Sequence, residues 1–279
     1  MKIVFKMFAG LLWFLMMCNQ LSAEPTKPEF DINTKLMLCT VKIICKETGS
    51  VGTGFLINRP CRGEDIRKAS WQGLWVLVTA RHVFDQIPSD AAILNLRKLE
   101  ANGEWTIIPV TVRVKNNHVP LYTVNPDPSV DIAVMYLHDK ISQDDACKLQ
   151  NMGAIEYQLL ADDEGYKNLK LHPGSTVYCL GYPFGLSSQN GDFPLLRGGT
   201  IASYPLLPLH KQKWFYFDFE IFGGNSGGPV YYYEPGFQSA PNILFTLQKS
   251  TSQAIIGLVS SQDMANTAYM TPVGQGTLQ

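Results

Sequence analysis

The chain has 279 residues, 46% of them hydrophobic and 17% charged, with a net charge of −1. That is enough apolar material for one or two packed cores, and it excludes a disordered or fibrous protein. The near-neutral balance supplies neither the basic surface that nucleic acid requires nor an acidic tail, so neither DNA nor RNA is expected as a partner.

Lys2 and Lys6 give the chain a positive start, residues 7–18 form an unbroken apolar run, and Leu21-Ser22-Ala23 ends in a small residue. An apolar run of about a dozen residues is too short to cross a bilayer. The pattern is that of a secretory signal peptide over 1–23, cut after Ala23, with an uncleaved N-terminal anchor as the alternative. A lipoprotein reading of residues 15–18 is weaker, because Met17 is not small. No other stretch is long and apolar enough to span a membrane, so no stable membrane insertion is expected once the signal is cut. The mature protein is expected to be exported, either periplasmic or secreted.

Export permits disulfides, and the mature part carries Cys39, Cys45, Cys61, Cys147 and Cys179. This odd number leaves at least one thiol free or paired between chains. With residues 36–45 read as one strand, Cys39 and Cys45 lie ~20 Å apart at ~3.3 Å per residue, too far to bond to each other. The five histidines are scattered and no CxxC or HExxH spacing occurs, so neither a metal nor another cofactor is expected.

After a lead over 24–35, strand-like runs rich in Val, Ile, Phe and Tyr follow one another. They cover residues 36–45, 51–57, 74–80, 91–96, 105–114 and 131–137, then 175–182, 200–204, 213–221, 228–233, 242–247 and 254–259. Runs of this length between turn residues predict an all-β chain of barrels or sandwiches. The polar, less β-prone stretch over about 141–172 reads as a linker between a first unit (about 36–140) and a second (about 173–273), with 274–279 as a tail. Within it, residues 142–160 carry the one possible helical period.

Residues 223–229 read GGNSGGP. Such a run suits a surface turn, and it equally suits a loop whose bare amides approach a ligand around a nucleophilic Ser226. A serine hydroxyl needs a base, and the base needs a third group to hold its tautomer. Of the histidines, His118, His138, His172 and His210 sit in polar or turn-like surroundings. His82 instead directly follows the buried run LWVLVTA, which a rigid strand would deliver to its end. Asp131 opens the run DIAVMYL, where a partly desolvated carboxylate calls for a compensating cation or hydrogen bond. Gly224-x-Ser226-x-Gly228 also matches the nucleophile elbow of α/β-hydrolases. That fold needs a histidine after the serine, and none follows Ser226.

The order His82, Asp131, Ser226 and seven motifs in sequence resemble a chymotrypsin-fold, trypsin-like serine peptidase of the bacterial type. The motifs are GTGFLI, VLVTARHVF, DIAVMYL, PGSTVYCLGYPFG, RGGTIAS, GGNSGGPV and IIGLVSS. The likeness runs from about residue 36 to 273. It implies two six-stranded antiparallel β-barrels with the active site in the cleft between them. His82 would be the general base, Asp131 its orienter and Ser226 the nucleophile, with the amides of Gly224 and Ser226 as the oxyanion hole. Ser260 would support the acid, while Ser261 and Gln262 would pair with the substrate backbone as an added strand. The pocket for the residue before the scissile bond would involve Glu220, Ile221, Phe222 and Ala268. An acidic floor at Glu220 favours Lys or Arg, whereas Ile221, Phe222 and the bulk of Gln262 and Ala268 favour a small apolar residue; both preferences stay open.

The chain departs from animal relatives in having Val83 and Phe222 where they have disulfide cysteines. Asn225 replaces the aspartate that receives a freed N-terminus, so switching by propeptide cleavage is not expected. Only 53 residues follow Ser226, too few for a PDZ domain of ~90 residues. The activity expected is that of an exported serine endopeptidase acting on polypeptides through an acyl-enzyme. The alternatives are a module on the same fold that binds peptides with little or no cleavage, and an esterase using the same three residues.

Overall fold

The computed structural model describes residues 31–59, 74–137, 140–141, 153–236, 251–260, 269–271 and 274–276. The signal segment 1–23, the run 242–247, Cys61, Cys147, Ser261, Gln262 and Ala268 lie outside the described residues. The chain divides into Met1–Asp31 and Ile32–Gln279, and everything below concerns the second unit.

A helix, α1 (Ile32–Cys39), occupies the start of the run expected as strand over 36–45. Ile32, Leu36 and Cys39 fall at i, i+4 and i+7 on one helical face, and all three are fully buried. The helical period of these three was hidden by the continuous apolar run that follows. The strand begins only at β1 (Thr40–Ile44), and β2 (Val51–Arg59) and β3 (Leu74–Thr79) pair with it in series. A short helix α2 (Arg81–Asp85) follows, then the long hairpin β4 (Ala91–Leu99) and β5 (Trp105–Arg113). The two-residue strands β6 (Lys115–Asn116), β7 (Val119–Pro120) and β8 (Thr123–Val124) lead to β9 (Ala133–Tyr136). The first sheet runs β5-β4-β1-β2-β3-β9-β8, and β10 (Ile155–Glu156) adds to β2 in parallel.

Helix α3 (Asp163–Asn168) precedes the second sheet, which comprises β11 (Thr176–Gly181), β12 (Leu195–Ile201), β13 (Phe217–Asp218), β14 (Pro229–Glu234) and β15 (Ser252–Leu258). Its order is β13-β12-β11-β14-β15, all antiparallel. A hairpin of β16 (Tyr269–Thr271) and β17 (Gly274–Gly276) completes the described strands. The all-β architecture of two antiparallel units is therefore the expected one. The strand numbers differ from two sixes, since the described sheets have eight and five strands and neither ladder closes on itself.

Two apolar cores match the two sheets. The larger is built on Val41, Ile43, Phe55, Leu77, Leu94, Val110 and Met135; the smaller on Val177, Cys179, Ile201, Val230 and Ile256. Leu180, Tyr231 and Ile255 of the second sheet pack into the larger core, so the sheets share a boundary. The described part of the expected linker is woven into both units. Ile155 pairs with Ile57 and is buried, while the Tyr166 hydroxyl donates to Ile256 O at 2.7 Å.

Strand β12 starts five residues before the run expected at 200–204, because Gly198 and Gly199 belong inside it rather than in a turn. A Cβ at Gly199 would lie 2.1 Å from Asp218 O on the paired β13, so only glycine permits that approach. Of the run expected at 213–221, only Phe217–Asp218 pairs as strand. The side alternation still holds beyond it: Asp218 and Glu220 are exposed, while Phe217, Phe219 and Ile221 pack against the smaller core.

Candidate active site

The pairing of β3 with β9 decides which side chains meet. Thr79 stands opposite Ala133 in that antiparallel ladder. His82, three residues past Thr79 in the first turn of α2, is thereby brought beside Asp131, two residues before Ala133. The His82 ring Nδ1–H donates to Asp131 Oδ2 at 2.6 Å, and the His82 backbone N–H donates to Asp131 Oδ1 at 3.0 Å. Both carboxylate oxygens are thus engaged by one residue, which fixes the ring's orientation.

Ser260 donates a third hydrogen bond, from Oγ to Asp131 Oδ2 at 2.7 Å. Its position follows from the end of β15: Val259 N–H donates to Gly228 O at 2.9 Å and Gly227 N–H to Val259 O at 2.6 Å. Burial acts to raise the Asp131 pKa, but the hydrogen bonds from the His82 ring, Ser260 and the His82 amide outweigh it and hold the carboxyl below its ordinary value. Asp131 is therefore a carboxylate acceptor throughout the neutral range.

Ser226 lies in the loop between β13 and β14. The loop contains a tight turn in which Asn225 N–H donates to Phe222 O at 3.1 Å, and Gly224 takes φ +99° at its third position, as in a type II turn. A Cβ at Gly224 would fall 2.1 Å from Tyr182 O, so the position excludes any side chain on both grounds. Among the described residues, the amides of Gly224 and Ser226 donate to no carbonyl or side chain, whereas those of Asn225, Gly227 and Gly228 are engaged. Asn225 is 1% exposed, and its Nδ2 is buried without a partner among the described residues.

His82, Ser226 and Gly224 line one cavity of about 490 Å³. Its other walls include Ile43, Cys45, Val51, Val83, Ile87 and Phe184, which are apolar or nearly so. His82 and Ser226 face this space without a direct hydrogen bond between them.

The remaining predicted residues separate. Glu220 is 82% exposed at its side chain and its carboxylate stands 3.9 Å from Arg197, so it meets solvent and a cation rather than the cavity. Ile221 packs toward the smaller core. The Phe222 ring packs tilted against Phe184, with centroids 4.8 Å apart, and lies under the Arg197 guanidinium at 4.9 Å. None of the three lines the cavity that holds Ser226.

Residues that sequence reasoning passed over also meet here. Thr53, within GTGFLI, donates from Oγ1 to Gly224 O at 2.6 Å, and Phe184, within YPFG, donates its amide to Gly223 O at 2.7 Å. Phe184 does so at φ +53° with 72% of its surface exposed, an uncommon pairing for a large apolar residue. The only sequence signal for either was its place between glycines or beside a proline.

No curated protein matches the chain. A family model described as the trypsin-like peptidase domain matches residues 52–234, a span that encloses His82, Asp131 and Ser226 together with both sheets' central strands. With its two antiparallel β-sheets and that match over more than half its length, the chain belongs to the trypsin-like peptidases of chymotrypsin fold.

Proposed function

We propose that the protein is an exported serine endopeptidase in which His82 is the general base, Asp131 its orienter and Ser226 the nucleophile. The observation that carries this reading is the 2.6 Å hydrogen bond from His82 Nδ1 to Asp131 Oδ2 beside a cavity that His82 shares with Ser226 and two undirected amides. With its proton on Nδ1, the imidazole has Nε2 as a lone-pair acceptor. It takes the Ser226 Oγ proton as the oxygen attacks a peptide carbonyl. The carbonyl oxygen becomes an anion, which the Gly224 and Ser226 amides stabilise. Collapse of that intermediate breaks the C–N bond, and the imidazolium gives its proton to the leaving amine. Water then repeats the sequence on the acyl-enzyme, returning Ser226 to its free form.

Asp131 stays ionised and holds the imidazolium in place; Ser260 holds Asp131. The substrate is a polypeptide, in keeping with the peptidase family, and Ser261 with Gln262 would pair with its backbone. Export rests on the positive start and apolar run of residues 1–23.

Purified protein should label covalently with an active-site fluorophosphonate and digest a peptide library. Ser226→Ala should abolish labelling and lower turnover by on the order of 10⁶. Wild-type protein that does not label is a peptide-binding module. Protein that labels but cleaves only small esters is an esterase. Near-normal peptide hydrolysis by Ser226→Ala would remove Ser226 from the mechanism.

A further inference from the structure

Four consecutive carbonyls shape the loop from 223 to 226, and each has a donor. Gly223 O accepts from Phe184 N–H at 2.7 Å, Gly224 O from the Thr53 hydroxyl at 2.6 Å, Asn225 O from Gly228 N–H at 2.9 Å, and Ser226 O from Thr53 N–H at 2.8 Å. Thr53 supplies two of the four. Its hydroxyl also accepts from Tyr182 N–H at 3.3 Å, and its carbonyl accepts from Thr79 Oγ1 at 2.6 Å. The residue is fully buried in β2, so none of these bonds is exchanged with bulk water.

The turn it holds is mechanically soft. Positions 223 and 224 are both glycine, so the peptide between them meets little steric resistance to turning over between type II and type I forms. In a trans peptide the C=O and N–H point opposite ways. Turning over would therefore swing the Gly224 N–H away from the space it now faces, and would move Gly224 off φ +99°. The Phe184 amide holds Gly223 O, the carbonyl that would turn over, and the Thr53 hydroxyl anchors the following carbonyl, Gly224 O, fixing where the turn sits against β2. Asn225, which replaces an ionisable group at the next position, makes no ion pair that could do this work.

We infer that Thr53 is a positioning residue: its hydroxyl anchors the turn at Gly224 O so that the Gly224 amide stays aimed at the reacting carbonyl oxygen. This rests on the peptidase reading above. The hydroxyl touches neither substrate nor Ser226 Oγ, so its removal acts on the transition state and leaves ground-state binding unchanged.

The test compares Thr53→Val, which keeps the shape and deletes the hydroxyl, with Thr53→Ser, which keeps the hydroxyl. Steady-state kinetics on one peptide substrate and affinity for a peptide aldehyde, whose adduct places an oxyanion in the same spot, are measured on the full chain. Thr53→Val should lose kcat by on the order of 10²-fold, comparable to losing one oxyanion donor, with KM within about twofold. Aldehyde affinity should fall by the same factor, and Thr53→Ser should restore both to within about threefold. A kcat within twofold of wild type in a folded Thr53→Val protein overturns the inference. So does a kcat loss with unchanged aldehyde affinity, or a Thr53→Ser protein as poor as the valine variant. If Thr53→Val does not fold, Thr53→Cys carries the test, because a weak thiol donor should give an intermediate loss and wild-type kcat there refutes the role. Wild-type protein that fails to label with fluorophosphonate sinks the peptidase reading and this one together, whereas labelling with an indifferent Thr53 sinks this one alone.

Discussion

Lys42 Nζ and Asp192 Oδ1 stand 2.5 Å apart with only 11% and 6% of their side chains exposed. Lys42 belongs to the first sheet and Asp192 to the loop between β11 and β12, so this ion pair ties the two sheets together. Asn95 donates to the other carboxylate oxygen at 2.9 Å, and Arg97, 2% exposed, donates to Asp192 O, Leu38 O and Thr40 O. The Tyr182 hydroxyl lies within 3.1 Å of the same Asp192 and Thr40 carbonyls. Removing one charge strands the other: Asp192→Ala should cost roughly 3–5 kcal/mol in a denaturant melt. Replacing both, as Lys42→Met with Asp192→Leu, should recover much of that loss.

Acid stability follows from the same pair. Burial acts to raise the Asp192 pKa, but hydrogen bonds from Lys42, Ser187 and Asn95 and the Lys42 charge outweigh it and hold the carboxyl below its ordinary value. A depressed carboxyl contributes stability above its unfolded pKa of about 3.9, and that contribution disappears as pH falls through the lower folded value. Melts between about pH 5 and 2 should show the wild type losing stability more steeply than Asp192→Asn. Equal slopes would show that Asp192 titrates alike in both states.

Turnover should depend on the hydrogen bonds at Asp131. Asp131→Asn puts an amide donor opposite the His82 ring and favours the wrong tautomer, so kcat should fall by on the order of 10⁴ with the fold intact. Ser260→Ala removes one hydrogen bond to the carboxylate, worth roughly 1–3 kcal/mol to the charged form, and should lower kcat by about tenfold. Full activity in Ser260→Ala would show that the two bonds from His82 suffice.

Primary specificity should not rest on Glu220. Its carboxylate is solvated and near Arg197, so a substrate cation would have to compete with both water and a guanidinium. Glu220→Ala should leave kcat/KM for cleavage after Lys or Arg within about twofold, read from a peptide library. A selective loss of cleavage after basic residues would return Glu220 to the pocket.

Thiol labelling should divide the cysteines. Cys39, Cys45 and Cys179 are free and buried, and burial pushes the thiols of Cys39 and Cys179 up to about 12. The thiolate is the reactive form, so iodoacetamide at pH 8 should leave both unmodified in the folded protein and alkylate both in denaturant. Mass spectrometry of tryptic fragments reads the difference.

The motifs that bring His82, Asp131 and Ser260 together were legible because each is attached to a strand, and strand alternation and order survive in the residues themselves. The β3–β9 register converts two separate motifs into one hydrogen bond. What was hidden depended on backbone groups and on contacts far apart in the chain. Thr53 acts through its amide, hydroxyl and carbonyl, and its side chain alone carried no sign of which carbonyls it would meet. Likewise Arg97 falls just past the run expected over 91–96, and nothing in its neighbours signalled that it would be buried against carbonyls from α1, β1 and the β11–β12 loop. Helix α1 was misread because three buried residues at helical spacing precede a run whose β-propensity dominates the window.

The bond from Thr53 to Gly224 spans 171 residues of chain. Closing a loop of that length must be offset before the contact gives anything back, and chains rich in such contacts fold slowly. On the proposed chemistry, a chain whose first sheet alone has folded possesses His82 and Asp131 in place but no aligned amides for the oxyanion. Folding itself then serves as the activating event. On that chemistry, proteolytic competence should appear only with the last long-range contacts.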